Sequence, residues 1–319
     1  MPTRPKISIV GAGGNVGATC ALWAAAHELG DIVAVDIRRD DMLPVEGRML
    51  DLAQVGPIER FDAAITATDD YADIAGSDVV VVSAGIPRRP GMSRDDLIET
   101  NVKIVKGAGE NIRKHAPEAV VIVVSNPLDA MVYTAWKATG FPTHRIIGQA
   151  GCLDVARFKT FIAMETGFSV EDINALLLGG HGDDMVPLPR FTSIAGIPVT
   201  QFIDEKRLEE IVERAKKGGG EIVGKMGTSG YYAPAAGTVQ MVEAIIRDKK
   251  RILPCAAYCN GEFGIQGLFV GVPCLLGAGG VERVVEIDLN AQEMELLRAS
   301  ADHVSDLVET VKKLAPDLA

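Results

Sequence analysis

Residues 6–36 read KISIVGAGGNVGATCALWAAAHELGDIVAVD. An apolar run at 6–10 ends in the turn Gly11-Ala12-Gly13-Gly14-Asn15-Val16-Gly17. An Ala- and Leu-rich stretch then runs over 14–29, and a second apolar run follows at 31–36. Strand, glycine turn, helix and strand in about thirty residues make a βαβ unit, and such units build parallel sheets.

Glycines 11, 14 and 17 carry no Cβ, so the backbone can approach a pyrophosphate, and the helix that starts there offers unpaired N–H groups to it. Asp36 ends the second strand, 36 − 17 = 19 residues after the last glycine. A carboxylate there accepts both ribose hydroxyls and repels a 2′-phosphate, which points to NAD over NADP. Arg38 and Arg39 follow closely and pull the other way.

The alternation continues. Strands are expected at 63–67, 78–83, 119–125 and 145–147, with helices at 45–54, 95–115 and 128–139. Residues 119–125 read AVVIVVS. Such unbroken Val/Ile runs mark strands covered on both faces. After residue 150 the pattern changes. Helices are expected at 153–166, 204–226, 232–247 and 291–314, with strands at 173–178, 251–259, 268–276 and 282–287. The expected fold is α/β: an N-terminal Rossmann-type doubly wound parallel sheet over 1–149, then an α+β substrate domain over 150–319.

The bulk properties exclude several classes. The chain has 319 residues, is 47% hydrophobic and 24% charged, and carries a net charge of −11. That surface repels nucleic acid and anionic membranes. An anionic substrate therefore needs positive charge gathered locally. Five scattered cysteines (20, 152, 255, 259 and 274) argue against a disulfide framework and fit a reducing compartment. Cys255 and Cys259 have no second Cys/His pair nearby, so no metal is expected. Residues 7–26 and 264–281 lack charge but hold many glycines, and Pro273 interrupts the second. Both make poor membrane spans, and the location expected is the cytoplasm.

Four segments carry chemistry. Gly85-Ile-Pro-Arg88-Arg-Pro-Gly-Met-Ser-Arg94 has three arginines on a glycine- and proline-flanked loop, the composition of a lid that brings cations to an anion. Alone it also fits a solvated loop. Ser125-Asn126-Pro127 ends a parallel strand, where ligand crevices lie. Asp154 and Arg157 stand three apart on one helix face, equally the spacing of a plain ion pair. His181 lies in Gly179-Gly-His-Gly-Asp183, a turn setting unlike that of a packed core histidine. Two motifs read as decoys. Gly219…Gly224-Lys225 continues with Met226 and lacks the hydroxyl of a P-loop. Tyr133…Lys137 has the Y-x-x-x-K spacing of short-chain reductases but reads better as a core Tyr beside an outward Lys.

Together GAGGNVG, PRRPGMSR, SNPLD, LDVAR, GGHGDDMVP and YYAPA resemble the lactate/malate dehydrogenase family, in its lactate-dehydrogenase-like malate dehydrogenase branch, over about residues 6–310. The glycine turn is one residue longer than is usual there, and the stretch 224–230 is about one residue shorter. The resemblance implies His181 as general acid/base, Asp154 as its orienting carboxylate, and Arg157 on the substrate 1-carboxylate. It implies Arg94 polarising the carbonyl, Asn126 bonding substrate and cofactor, and Asn101 near either. Gly11, Gly14, Asn15, Val16, Gly17, Asp36 and Val124 would complete the NAD contacts. Similar lactate dehydrogenases have Gln where this chain has Arg88. A second guanidinium wants a second carboxylate, and leaving it buried and unpaired costs roughly several kcal/mol. This implies a four-carbon dicarboxylate, malate or oxaloacetate. The resemblance also implies a homodimer or homotetramer and a place in the tricarboxylic acid cycle. Lactate dehydrogenase, a non-catalytic NAD sensor, and a reductase using Tyr133 and Lys137 are the alternatives.

Overall fold

The computed structural model describes residues 4–87 and 94–319; the side chains of Arg94 and Asp183 lie outside that set. The first half alternates as expected: β1 (Lys6–Val10), α1 (Asn15–Ala26), β2 (Asp31–Val35), α2 (Pro44–Glu59), β3 (Ile65–Thr68), β4 (Val79–Val82), α3 (Arg94–His115), β5 (Val120–Val123), α4 (Leu128–Thr139) and β6 (Ile146–Gly148). These six strands are parallel in the order β3-β2-β1-β4-β5-β6. The order reverses between β1 and β4, the point where open sheets of this type bind ligands at their carboxyl ends.

Continuous apolar strands follow from burial on both faces. Val79 and Val81 join one core cluster, while Val80 and Val82 join the other. Ile122 and its neighbours Val121 and Val123 divide the same way. α1 can lie close because its inward residues are small: Cys20, Ala21, Ala24 and Ala25 are buried.

The second half contains α5 (Gly151–Thr166), β7 (Ile173–Asn174), β8 (Leu177–Gly179), β9 (Met185–Pro187), β10 (Ser193–Ile194), β11 (Ile197–Pro198), α6 (Glu205–Lys216), α7 (Gly218–Met226), α8 (Tyr232–Ile246), β12 (Arg251–Asn260), β13 (Gln266–Gly277), β14 (Gly280–Val284) and α9 (Ala291–Leu314). The parallel sheet runs on into it. β12 joins antiparallel to β6 at Ala256 and Gly148, β13 pairs with β12, and β8 joins β13 where Gly271 faces Gly179. A Cβ on Gly271 would lie 2.3 Å from the Gly179 carbonyl oxygen, so the two backbones meet this closely only because residue 271 is glycine.

Two expectations need correction. The single helix expected over 204–226 is two helices that break at Lys217, where Gly218, Gly219 and Gly220 remove the side chains that would favour continuation. The strand expected over 173–178 is two short strands in different sheets. The uncharged stretch 7–26 is strand, turn and helix, and no helix among the described residues is long and apolar enough to cross a membrane. All five cysteines are buried free thiols.

Candidate active site

The glycine turn is built by close approach. Gly11 has φ +91°, and a Cβ there would lie 2.6 Å from the Ala84 nitrogen at the end of β4. A Cβ on Gly17 would lie 2.5 Å from the Gly11 carbonyl oxygen. Gly14 caps α1 without a side chain, so the first-turn amides of Asn15, Val16 and Gly17 receive no side-chain cap from it. Glycine backbone at a helix N-terminus suits a pyrophosphate. The extra glycine has its own cause: a Cβ on Gly13 would meet the Asp36 carboxylate at 2.7 Å. Asp36 accepts the Gly13 N–H at 2.6 Å and the Ile37 N–H at 2.7 Å, one bond per oxygen, which leaves lone pairs for ribose hydroxyls. Arg38 is drawn away by a two-pronged pair with Asp69, at 2.9 and 3.3 Å.

The catalytic candidates converge on a loop and a helix. β8 delivers the loop 180–184, and three helices pin it. From α9, Ser300 Oγ accepts the Gly180 N–H at 2.8 Å and donates to the Asp184 carbonyl at 2.7 Å. From α4, Asp129 accepts the His181 main-chain N–H at 3.2 Å. From α5, Asp154 meets His181 Nδ1 at 2.9 Å and accepts from Arg157 Nη1 at 2.9 Å with its other oxygen. Burial pushes the His181 imidazole down in pKa, but Asp154, by charge and hydrogen bond, and Asp129, by charge, more than reverse it, so its pKa lies above the ordinary value. Asp129 is itself raised to about 6, mainly by burial, against the lowering pull of His181.

Val16, Val124, Asn126, Arg157 and His181 line one cavity of about 230 Å³, together with Gln149, Ser229 and Gly230. That is below the ~300–1,000 Å³ of pockets for drug-sized ligands, so it suits a small acid. A larger groove of about 750 Å³ along α6 contains none of these residues. Among the described residues, the buried side-chain polar atoms without a partner are Asp129 Oδ1, Gln149 Nε2 and Arg157 Nε. Two of those residues line the cavity and the third touches His181. Buried polar groups are normally paired, so unmade bonds gathered at one place mark a ligand site.

Asn101 is buried. Its side chain donates to the carbonyls of Ile86 (3.1 Å) and Asn126 (2.6 Å) and accepts the Ile86 N–H (2.8 Å). It ties the loop after β4 to the loop after β5. Arg88 lies outside the described residues, as does the side chain of Arg94, whose backbone opens α3. Tyr133 is in the core, with its hydroxyl donating to the Leu318 carbonyl at 2.9 Å. Lys225 sits in α7 paired with Glu221 at 2.7 Å. The Tyr133 pair does not line the cavity; Gly219 and Val223 of the other decoy do, as wall residues beside Arg157.

Asp129, Gln149, Ser300 and the glycines beside Arg157 do not stand out in the sequence as site residues. One signal exists for Asp129: it is the lone carboxylate in a mostly apolar helix. Gly218 and Gly219 make room for Arg157, since Cβ atoms there would lie 3.2 Å from Arg157 Cδ and 3.4 Å from its Nη2.

Comparison with known proteins agrees with this layout. Residues 5–148 match the lactate/malate dehydrogenase NAD-binding domain, and 152–315 match the alpha/beta C-terminal domain of the same family. The malate dehydrogenase of Roseiflexus castenholzii is 59% identical over 312 residues, covering 98% of this chain and 100% of that protein. The structure of malate dehydrogenase from Salinibacter ruber superposes with a TM-score of 0.92 at 50% identity, over 98% of this chain and 99% of that one. A lactate dehydrogenase from Cryptosporidium parvum, solved with lactic acid and the cofactor nicotinamide adenine dinucleotide, also superposes with a TM-score of 0.92, at 36% identity over 98% and 99% of the two chains. The two activities share this fold, so the fold alone does not choose between them.

Proposed function

Because the chain belongs to the lactate/malate dehydrogenase family, we propose that it catalyses the reversible NAD-dependent oxidation of (S)-malate to oxaloacetate. The Asp154 carboxylate shared between His181 and Arg157 at the wall of a small cavity supports the dehydrogenase chemistry, and the 59% identity to a malate dehydrogenase over nearly the whole chain carries the choice of malate.

NAD, when bound, supplies the hydride acceptor and donor. Gly11, Gly14, Asn15, Val16 and Gly17 would hold its pyrophosphate, Asp36 would accept its ribose hydroxyls, and Val124 and Asn126 would complete its contacts. Arg157 binds the substrate 1-carboxylate through a planar two-pronged contact. His181 protonates the carbonyl oxygen during reduction and takes the hydroxyl proton during oxidation. Asp154 fixes the imidazole tautomer and stabilises its cation. Asn126 hydrogen-bonds the substrate. Arg94 polarises the carbonyl, and Arg88 pairs with the second carboxylate. Asn101 acts near cofactor and substrate by bracing both loops. We place the boundary between the NAD-binding and substrate domains at 149/150.

The enzyme works as a homodimer or homotetramer in the cytoplasm, within the tricarboxylic acid cycle, with neither nucleic acid nor membrane as partner. Leu50 and Ile58, eight residues apart on α2, are 65% and 76% exposed, which supports an assembly. The deciding measurement is a steady-state comparison of oxaloacetate and pyruvate, each with NADH and with NADPH. Oxaloacetate with NADH is the pair expected to dominate. Preference for pyruvate would move the chain to the lactate branch, and binding of NADH without turnover would make it a sensor.

A further inference from the structure

The charges around the partly buried His181 and Arg157 do not balance on the buried Asp154 alone. One oxygen of that carboxylate accepts from Arg157 and the other meets His181. When the imidazole is protonated, a single negative charge stands between two cations, and the buried cluster carries a net +1. A buried uncompensated charge is strongly disfavoured. A second carboxylate meets the main chain of the same histidine. Asp129, in the first turn of α4, is 5% exposed; one of its oxygens accepts the His181 N–H at 3.2 Å, and the other has no partner among the described residues.

Among the described residues, the same cluster contains few other charges. α5 contributes Asp154 and Arg157, and α4 contributes Asp129. On the loop of His181 itself, Asp184 is already paired with His303 of α9 at 2.7 Å. With Asp129 ionised, the buried set sums to zero when His181 is protonated: two carboxylates against a guanidinium and an imidazolium.

We propose that Asp129 is a positioning residue of the proton site, holding the His181 main chain and supplying the second negative charge that lets this imidazole keep a proton beside Arg157. This rests on the assignment of His181 as acid/base. It also links the two halves of the reaction, because α4 follows directly on Asn126 at the end of the cofactor strand β5. Burial raises Asp129 to about 6, and the charge of His181 pulls it back toward the ionised form.

The test is a titration of the His181 ring by NMR in the full chain, with the resonance assigned through His181→Gln. In the unsubstituted protein the midpoint is expected above the ordinary histidine value of about 6.5. In Asp129→Asn, which keeps an oxygen for the His181 N–H but loses the charge, the midpoint should fall by about one pH unit or more. The pH at which kcat/KM for oxaloacetate reduction declines should fall with it, while KM for NADH stays where it was. A midpoint that does not move in Asp129→Asn overturns the proposal. Should that variant fail to fold, the unsubstituted protein still decides, since a midpoint at or below the ordinary value overturns it too. A midpoint that moves while the rate ignores it leaves the charge pairing intact and removes His181 as the acid/base instead.

Discussion

One carboxylate, Asp154, stands between His181 and Arg157, 2.9 Å from Nδ1 of the first and 2.9 Å from Nη1 of the second. Both neighbours are donors in the working state, and only a carboxylate has two acceptor oxygens. Asp154→Asn gives one of them an NH2 group instead. The imidazole then loses its tautomer or the guanidinium loses its anchor. The expected result is a kcat for oxaloacetate reduction lower by about 10²–10⁴ at saturating NADH, with the fold retained. A loss smaller than tenfold would show that the shared carboxylate is only structural.

The pH dependence follows from the raised pKa of His181. With His181 as the proposed acid/base, reduction needs the imidazolium, so kcat/KM for oxaloacetate is flat at low pH and declines as pH rises through the folded-state value. Oxidation needs the neutral ring and gains activity over the same interval. Since the two carboxylates lift that value against burial, the interval lies above the ordinary histidine midpoint of about 6.5. Profiles in the two directions should be mirror images around one pH. A reduction rate already half lost by about pH 6 would contradict the charge arrangement.

Much of this architecture is legible in the amino-acid sequence, for identifiable reasons. Strands buried on both faces write themselves as Val/Ile runs, and Val79–Val82 and Val120–Val123 need nothing else. Gly11, Asp36, Asp154, Arg157 and His181 stand out because each breaks its local pattern. What stays hidden depends on contacts between distant segments. Asp129 and His181 are 52 residues apart and meet through a main-chain N–H, which leaves no trace in spacing. The break at Lys217 is masked because helical periodicity continues on either side of it. Behind that break, Gly219 reads in the sequence as the start of a false phosphate loop, and in the structure Gly218 and Gly219 leave space for Arg157.

That space can be filled deliberately. Gly218 is the first residue of α7, and a Cβ there would sit 3.2 Å from Arg157 Cδ. The obstacle is a flexible side chain, so the helix keeps its place and the arginine moves. Gly218→Ala also gains helix propensity, up to about 1 kcal/mol. The expected outcome is an unchanged or higher Tm together with a KM for oxaloacetate raised roughly tenfold, because a small displacement of a positioning group is felt strongly at the reacting centre. A lower Tm with an unchanged KM would mean that Gly218 serves the backbone and not Arg157.

The related solved structures include both malate and lactate dehydrogenases on one fold, so on the proposed reading substrate choice turns on Arg88. Arg157 and His181 serve any 2-keto acid; neither distinguishes a methyl group from a second carboxylate. Discrimination therefore needs a group that is paired with one substrate and stranded with the other. A guanidinium closed over a methyl group is desolvated and unpaired, and sites with such stranded polar groups reject the wrong ligand by factors of about 10⁴. Arg88→Gln removes that penalty for pyruvate and the ion pair for oxaloacetate together. The ratio of kcat/KM for oxaloacetate over pyruvate should fall by about 10³ or more, most of it through weaker use of oxaloacetate with Arg157 and His181 intact. Measured side by side with NADH, a ratio within tenfold of the unsubstituted enzyme would place the second carboxylate's partner elsewhere in the cavity. Gln149, with its unpaired Nε2 on the cavity wall, would then be the first residue to substitute.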